Sequence, residues 1–126
     1  MIEEKLRILL ESEIVAFSTV GEGDLPNVVS VVEIKVFEDK LLITDNFFNK
    51  TRINLLKNKN VALAVWNKSG EVGYQIKGEA EYFTEGEWKK IVDEMKENEG
   101  LSHKGAVLVT VKEIWDLVNP KLVWKL

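Results

Sequence analysis

The segment from Leu41 to Leu56 constrains the fold most, because it joins an apolar run to an amphipathic stretch through a short polar loop. The run Leu41-Leu42-Ile43 shows no alternation of polar and apolar residues, which predicts a strand buried on both faces. Apolar residues then recur at a spacing typical of a helix, at Ile53, Leu55 and Leu56. Asn49 stands where a helix cap is expected, so the segment is predicted to be a strand, a turn and the start of a helix.

Two cations and a hydroxyl fall in the first turn of this predicted helix, at Lys50, Thr51 and Arg52. Backbone N–H groups in a first turn have no acceptor within the helix. The helix dipole also favours an anion there, by roughly 0.3–1 kcal/mol at an exposed site. The pattern is typical of a phosphate clamp. A solvated first turn that happens to be basic is the alternative, and the local sequence leaves it open.

Composition limits the classes of function that the chain can serve. Its 126 residues are expected to form one domain, spanning 1–126, and 45% of them are hydrophobic, enough for a core. A net charge of -4 argues against a general nucleic-acid binder but leaves room for a local basic pocket. With no cysteine and one histidine, neither a thiolate site nor a histidine-rich metal cluster is expected. We find no signal peptide and no apolar run of about 18 residues, so we expect a cytoplasmic protein without a membrane partner.

The remaining patterns predict more strands than helices. Six strands are expected, at residues 12–20, 27–37, 41–43, 61–66, 72–83 and 106–111. The first three are expected to form a meander, and residues 122–124 could add a short last strand. Helices are expected over residues 2–11 and 50–57, and from a capping box at Thr84 and Glu87 to near Gly100. The fold class predicted is mainly β (α+β), a six-stranded antiparallel split barrel with peripheral helices.

Three motifs, in this order and in a chain of this size, resemble the FMN-binding split-barrel family of pyridoxamine 5′-phosphate oxidase and small bacterial flavin-binding proteins. They are PNVVSVVE at residues 26–33, LIT at 42–44 and NKTRINL at 49–55. The resemblance covers roughly residues 11–111. It implies a homodimer with FMN bound non-covalently at the subunit interface.

The resemblance also assigns residues to the cofactor. It places the ring against backbone groups of the second strand, at Val28, Val29, Ser30, Val31 and Val32. It matches the strand-end threonine to Thr44 and the phosphate-binding pair to Asn49 and Lys50, with Thr51 beside them. Trp124 is expected to reach across to the partner's cofactor, because chain termini in such dimers often do so.

Two departures from the oxidases narrow the expected activity. The oxidases place a basic residue where this chain has Glu33, which would repel a phosphate unless it points away. They also bind their substrate through an Arg/His pair near the C-terminus, and this chain has neither residue type after His103. The resemblance therefore implies a flavin-dependent oxidoreductase or electron carrier, with pyridoxamine phosphate oxidation not expected.

Two alternatives within the fold remain open. One is a reductase that binds a deazaflavin coenzyme, whose acidic tail could use Lys35, Lys57 and Lys59. The other is a cofactor-free binding dimer, which Glu33 favours. His103 lies in a loop and is interpreted as solvated in preference to a catalytic acid or base. The tryptophans other than Trp124 are interpreted as core or interface residues.

Overall fold

The computed structural model of the chain describes residues 2–126; Met1, where the expected single domain begins, lies outside the described residues. Within them the elements are three α-helices and eight strands. In chain order these are α1 (Glu4–Ser12), β1 (Val15–Val20), β2 (Pro26–Val31), β3 (Lys35–Phe37), β4 (Lys40–Asp45), α2 (Lys50–Lys57), β5 (Asn60–Trp66), β6 (Gly73–Phe83), α3 (Glu87–Glu94), β7 (Gly105–Asp116) and β8 (Lys121–Lys125). Short 3₁₀ turns occupy Glu22–Asp24 and Lys96–Asn98.

All the strand pairs are antiparallel, in the order β2-β1-β5-β6-β7-β4-β3, with β8 added alongside β7. The predicted fold class, an antiparallel split barrel with peripheral helices, is confirmed. The expected count of six strands is wrong for the described residues. One additional strand is β8, the short C-terminal strand foreseen at 122–124, and the other arises where the strand expected over 27–37 divides.

That division is the main correction to the predicted topology. Val31 pairs with Val15 of β1, whereas Lys35 pairs with Leu42 of β4, at the opposite end of the strand order. The expected meander of three consecutive strands therefore does not form. Instead, β1 pairs with β2 and β3 pairs with β4, as two separate pairs. Glu33 adopts a left-handed φ of 58° between them, which interrupts the two-residue alternation of an extended chain. The sequence does not reveal the break, because valine and isoleucine, which favour strands, predominate on both sides of Glu33.

The strand β4 is buried on both faces, as its unalternated sequence predicts. Leu41 and Ile43 belong to the main core, to which α1 and most of the other strands also contribute. Leu42 points the other way, into a second cluster with Val92 of α3 and Leu108 of β7. The helix α3 thus covers the back of β4, and this coverage explains why the strand carries apolar residues at consecutive positions.

Both predicted helix caps are wrong. Asn49 occupies the N-cap position of α2, but its side chain makes no capping hydrogen bond. The helix α3 begins after Gly86, whose φ is 93°, and the expected capping box of Thr84 and Glu87 does not form. The positive φ of Gly86 suits glycine, which has no side chain to cap α3. In the part of the chain that the structure describes, every helix is too short or too polar to span a bilayer.

Candidate functional site

A cavity of about 540 Å³ opens where β2 separates from β4, within the usual size range of small-molecule sites. It is lined by the end of β4, by the loop and first turn of α2, by β2, and by the segment after α3. The lining residues are Asn27, Val29, Ser30, Val31, Val32, Glu33, Thr44, Asn46, Phe47, Phe48, Asn49, Lys50, Thr51, Asn98 and Leu101.

One wall of the cavity is the free edge of the sheet. The strand β2 pairs with β1 on one side only and ends the strand order. Alternate residues of such an edge direct unpaired N–H and C=O groups away from the sheet. In this chain those groups face a cavity, where they can bind the polar rim of a planar ligand. The exposed side chain of Val28 belongs to the outer face.

The first turn of α2 forms one end of the cavity. Asn27 donates from Nδ2 to Thr51 Oγ1 at 3.2 Å, which connects the start of β2 to the helix. Thr51 is buried and Lys50 is exposed beside it. Because no side chain caps the helix, its first N–H groups stay free for a ligand. The first turn of α2 therefore presents backbone donors that no side-chain cap among the described residues uses.

A buried carboxylate holds the loop that leads into this helix. Asp45 Oδ1 accepts the N–H of Phe48 at 2.8 Å, and Oδ2 accepts the hydroxyl of Tyr82 at 2.5 Å. Burial, followed by the hydrogen bond to Asp45, raises the pKa of Tyr82. The Tyr82 ring packs directly over Gly105, where any side chain would collide with it. Asp45 thus positions the backbone of Phe48 and Asn49 at the cavity.

A second hydrogen-bonded group holds the opposite wall. Asn98 donates from Nδ2 to Thr44 Oγ1 at 3.0 Å, and it accepts from Asn46 Nδ2 at 3.3 Å. Asn46 Oδ1 accepts the N–H of His103 at 2.7 Å. Lys104 reaches the carbonyl of Phe48 at 3.2 Å. The segment after α3 is therefore fastened to the same loop that carries the anion end.

Eight of the ten residues that the sequence assigns to a cofactor line this one cavity: Val29, Ser30, Val31, Val32, Thr44, Asn49, Lys50 and Thr51. Val28 does not; its side chain is exposed and lines the groove on the outer face. Trp124 packs against the main core beside Leu6 and Ile114 of its own chain. Its expected contact with a partner's cofactor stays a prediction.

Several lining residues escaped the sequence analysis. Asn27 lies in the PNVVSVVE motif and Phe48 lies directly before the NKTRINL motif, but residue spacing does not show that either side chain faces a cavity. Asn98 and Leu101 lie about fifty residues further along the chain and carry no motif. Only the packing of the segment after α3 against β4 brings them to the cavity. Glu33 lies at the rim, exposed, and does not turn away from the cavity lining.

The other charged and ionisable candidates lie off the described lining. Arg52 is turned toward the hydroxyl of Tyr82, where its charge counters the rise in the pKa of that phenol. Lys35 pairs with Glu97 at 2.7 Å. Lys57 lines a second groove along α2, which Lys50 also borders, and Lys59 does not line the cavity. His103 Nδ1 lies 2.7 Å from Asp93 Oδ1, on the surface.

Comparison with known proteins agrees with this architecture. The family profile described as pyridoxamine 5′-phosphate oxidase matches residues 1–117. An uncharacterized protein of Methanocaldococcus jannaschii is 42% identical over 113 residues, which are 86% of this chain and 75% of that protein. A barrel of this topology with a cavity at its split is the architecture of the FMN-binding split barrels, and the chain belongs to the pyridoxamine 5′-phosphate oxidase-like family within that class.

Three solved structures illustrate the range of the fold. HupZ of Group A Streptococcus has a TM-score of 0.89 at 22% identity, over 98% of this chain and 100% of that one. An FMN-binding protein of Syntrophomonas wolfei has a TM-score of 0.74 at 19% identity, over 90% of this chain and 84% of that one. An F420 reductase has a TM-score of 0.70 at 16% identity, over 90% of this chain and 98% of that one. At these identities the likeness supports the fold alone.

Proposed function

We propose that the protein binds FMN non-covalently in the cavity beside β2 and acts as a flavin-dependent oxidoreductase or electron carrier. The observation that carries this proposal is the meeting, at one end of the cavity, of Lys50, the Thr51 hydroxyl and the free N–H groups of α2. These groups together are suited to a phosphate ester. The family and the FMN-binding protein of the same fold supply the class of cofactor.

The rest of the cavity suits the ribityl chain and the ring. From Asn27 to Val31 the wall of β2 extends over about 13 Å, at roughly 3.3 Å per residue. The free edge of that strand offers backbone donors and acceptors, while Val29 and Val31 supply apolar surface. When bound, the flavin would supply the hydride or electron transfer, so the protein needs to bind, orient and shield it. The scarcity of catalytic side chains in the sequence is consistent with a protein whose cofactor supplies the chemistry.

Visible absorption of the purified protein, with the released ligand identified by mass, tests this proposal. The two-banded spectrum of oxidised flavin with released FMN is the expected result. A single band between those two, with a heavier ligand, would instead indicate the deazaflavin coenzyme. A colourless protein that takes up no added FMN would favour the cofactor-free dimer.

We also propose that the protein is a homodimer with the cofactor at the interface. The outer face of β1, β2 and β5 exposes a contiguous apolar patch beside the cavity. Ile14 is 66% exposed, Val28 65% and Trp66 51%, and all three line one shallow groove with Ser30, which also borders the cavity. Apolar surface of this kind is typical of an interface, and a second copy seated there would close the cavity.

Sedimentation velocity of the wild type and of Val28→Glu tests the dimer. Because Val28 points away from the core of its own chain, the substitution should leave the barrel folded. We expect a dimer for the wild type and a monomer for the variant, with weaker FMN binding. Lys68→Glu, a charge change at the rim of the same groove, is the control. A wild type that sediments as a monomer while it binds FMN would refute the interface proposal.

A further inference from the structure

The cavity beside β2 carries opposite charges at its two ends. Among the described residues that line it, two are charged, Lys50 and Glu33. Asn27, near the start of β2, donates to Thr51 next to Lys50 and so marks the anion end. Val31, at the end of β2, lies about 13 Å from Asn27 at roughly 3.3 Å per residue, and Glu33 follows it. The two charges therefore lie at opposite ends of the wall that β2 forms.

The backbone places Glu33 at the point where the sheet splits. Val31 pairs with β1 and Lys35 with β4, and the left-handed φ of 58° at Glu33 lies between these two pairings. The Glu33 side chain is exposed at the cavity rim. A separation of about 13 Å exceeds the Debye length of about 10 Å at 0.1 M salt. The carboxylate is therefore largely screened from a phosphate at Lys50.

The carboxylate of Glu33 belongs to none of the ion pairs found within residues 2–126. Lys35, two residues further along, instead binds Glu97 at 2.7 Å, so its charge is already matched. Beside Glu33, Val32 is 58% exposed and also lines the cavity, and Leu101 adds further apolar surface to it. An unpaired carboxylate next to exposed apolar surface suits an organic cation.

We infer that Glu33 selects the second reactant of the proposed flavoprotein, an electron donor or acceptor that carries positive charge, and disfavours an anionic one. The inference rests on the proposed binding of FMN, whose phosphate is assigned to Lys50. A ligand held there by its phosphate directs its ring along β2 toward the Glu33 end. A reactant that approaches the ring at this end passes the carboxylate, which attracts a cation and repels an anion. The same charge opposes a phosphorylated substrate.

A carboxylate at this end of the cavity also bears on the reduction potential. Reduction adds negative charge to a flavin ring, and a nearby carboxylate opposes that addition. Glu33→Gln should therefore raise the reduction potential of bound FMN, and Glu33→Lys should raise it further. Equilibration with a redox dye measures the potential without turnover, so this readout does not depend on knowing the natural reaction.

The test measures oxidation of the reduced flavoprotein by two ions of opposite charge, hexaammineruthenium(III) and ferricyanide, in a stopped-flow spectrometer. Each ion accepts one electron, so two ions oxidise one reduced flavin, whose protons pass to the buffer. A trivalent ion about 7 Å from a carboxylate in water gains or loses roughly fivefold in rate at about 0.1 M salt.

The ratio of the rate constant for the cation to that for the anion should therefore fall roughly 25-fold in Glu33→Gln. It should fall further in Glu33→Lys. A changed potential shifts both rate constants in the same direction, so the ratio isolates the effect of charge on the approach of the ion. Glu38→Gln is the matched control, because Glu38 is an exposed glutamate with a φ of 57° that lies outside the cavity lining. Its rate ratio and potential should stay close to those of the wild type.

Three outcomes would overturn the inference or separate it from the proposed function. A wild type that binds no FMN refutes both. Bound FMN with the same rate ratio in the wild type and in Glu33→Gln refutes the charge selection and leaves FMN binding intact. An equal fall of the ratio in Glu38→Gln and Glu33→Gln would assign the effect to the net charge of the chain and refute the role of the cavity rim.

Discussion

Removal of the Lys50 ammonium should weaken binding of FMN without affecting binding of riboflavin, the same ring without the phosphate. Lys50 opens α2 at the cavity end where the Thr51 hydroxyl and the free N–H groups converge. A hydrogen bond to a charged group contributes about 1.5–3 kcal/mol. The Lys50 side chain is exposed, so solvent screening places its contribution at the lower end of that range. Lys50→Ala should therefore raise the Kd for FMN about tenfold.

The matched control is Lys57→Ala, which removes the same charge from the last turn of the same helix. Seven residues separate the two lysines, about 10 Å at roughly 1.5 Å per residue, which is close to one Debye length at moderate ionic strength. Because of this screening, Lys57→Ala should change the Kd for FMN by less than about twofold. Quenching of flavin fluorescence on titration with protein measures all these affinities.

Two results would contradict this reasoning. An unchanged affinity of Lys50→Ala for FMN would place the phosphate elsewhere. A parallel loss of FMN and riboflavin binding would mean that Lys50 acts on the ring or on the fold. Salt offers a further check, because the difference between wild type and Lys50→Ala should shrink as ionic strength rises.

Two further predictions concern the supports around the cavity. Tyr82→Phe removes the hydroxyl donor to buried Asp45 and should lower the free energy of unfolding by about 1.5–3 kcal/mol in urea denaturation. Because burial raises the pKa of Tyr82 in the folded state, its phenol ionises first in the unfolded chain. The wild type should therefore lose stability as the pH rises above about 10, and the phenylalanine variant should lack this component. The hydrogen bond from Lys35 lowers the pKa of Glu97 below its ordinary value of 4.5, so the stability it confers is present above pH 4.5 and is lost as the pH falls through the folded-state pKa. In Glu97→Gln that acid-dependent component should disappear from unfolding curves, and persistence of an identical pH profile would show that the pair contributes nothing.

The segment from β4 to α2 shows which structural features can be predicted from local sequence patterns. An unalternated apolar run predicts a strand covered on both faces, and the structure places the main core on one side of β4 and α3 on the other. The polar loop and the basic first turn predict an anion site at the start of α2, and the structure brings Lys50 and Thr51 to the cavity. The strand prediction is confirmed because strand burial leaves its pattern in neighbouring residues, whereas the anion site stays a prediction.

The break at Glu33 shows where local reasoning stops. The valine-rich stretch on either side of it suits a strand, and only the register with β1 and β4 reveals that one segment serves both ends of the sheet. Similarly, Asn49 has the right residue type and position for a cap but does not cap. Asp45 already holds the loop backbone through Phe48, and its own position depends on Tyr82, 37 residues further along the chain.

The sequence by itself determined the class of fold, the family motifs and the residues at the start of α2, because each is encoded by residue type and spacing over short distances. Only the tertiary structure decided which donors stay free. It turned Arg52 toward Tyr82, brought Asn98 against Thr44 and left the edge of β2 unpaired at the cavity. The physical reason is that a hydrogen bond is a property of two groups, and whether a donor is spent or available depends on partners that the chain brings from far away.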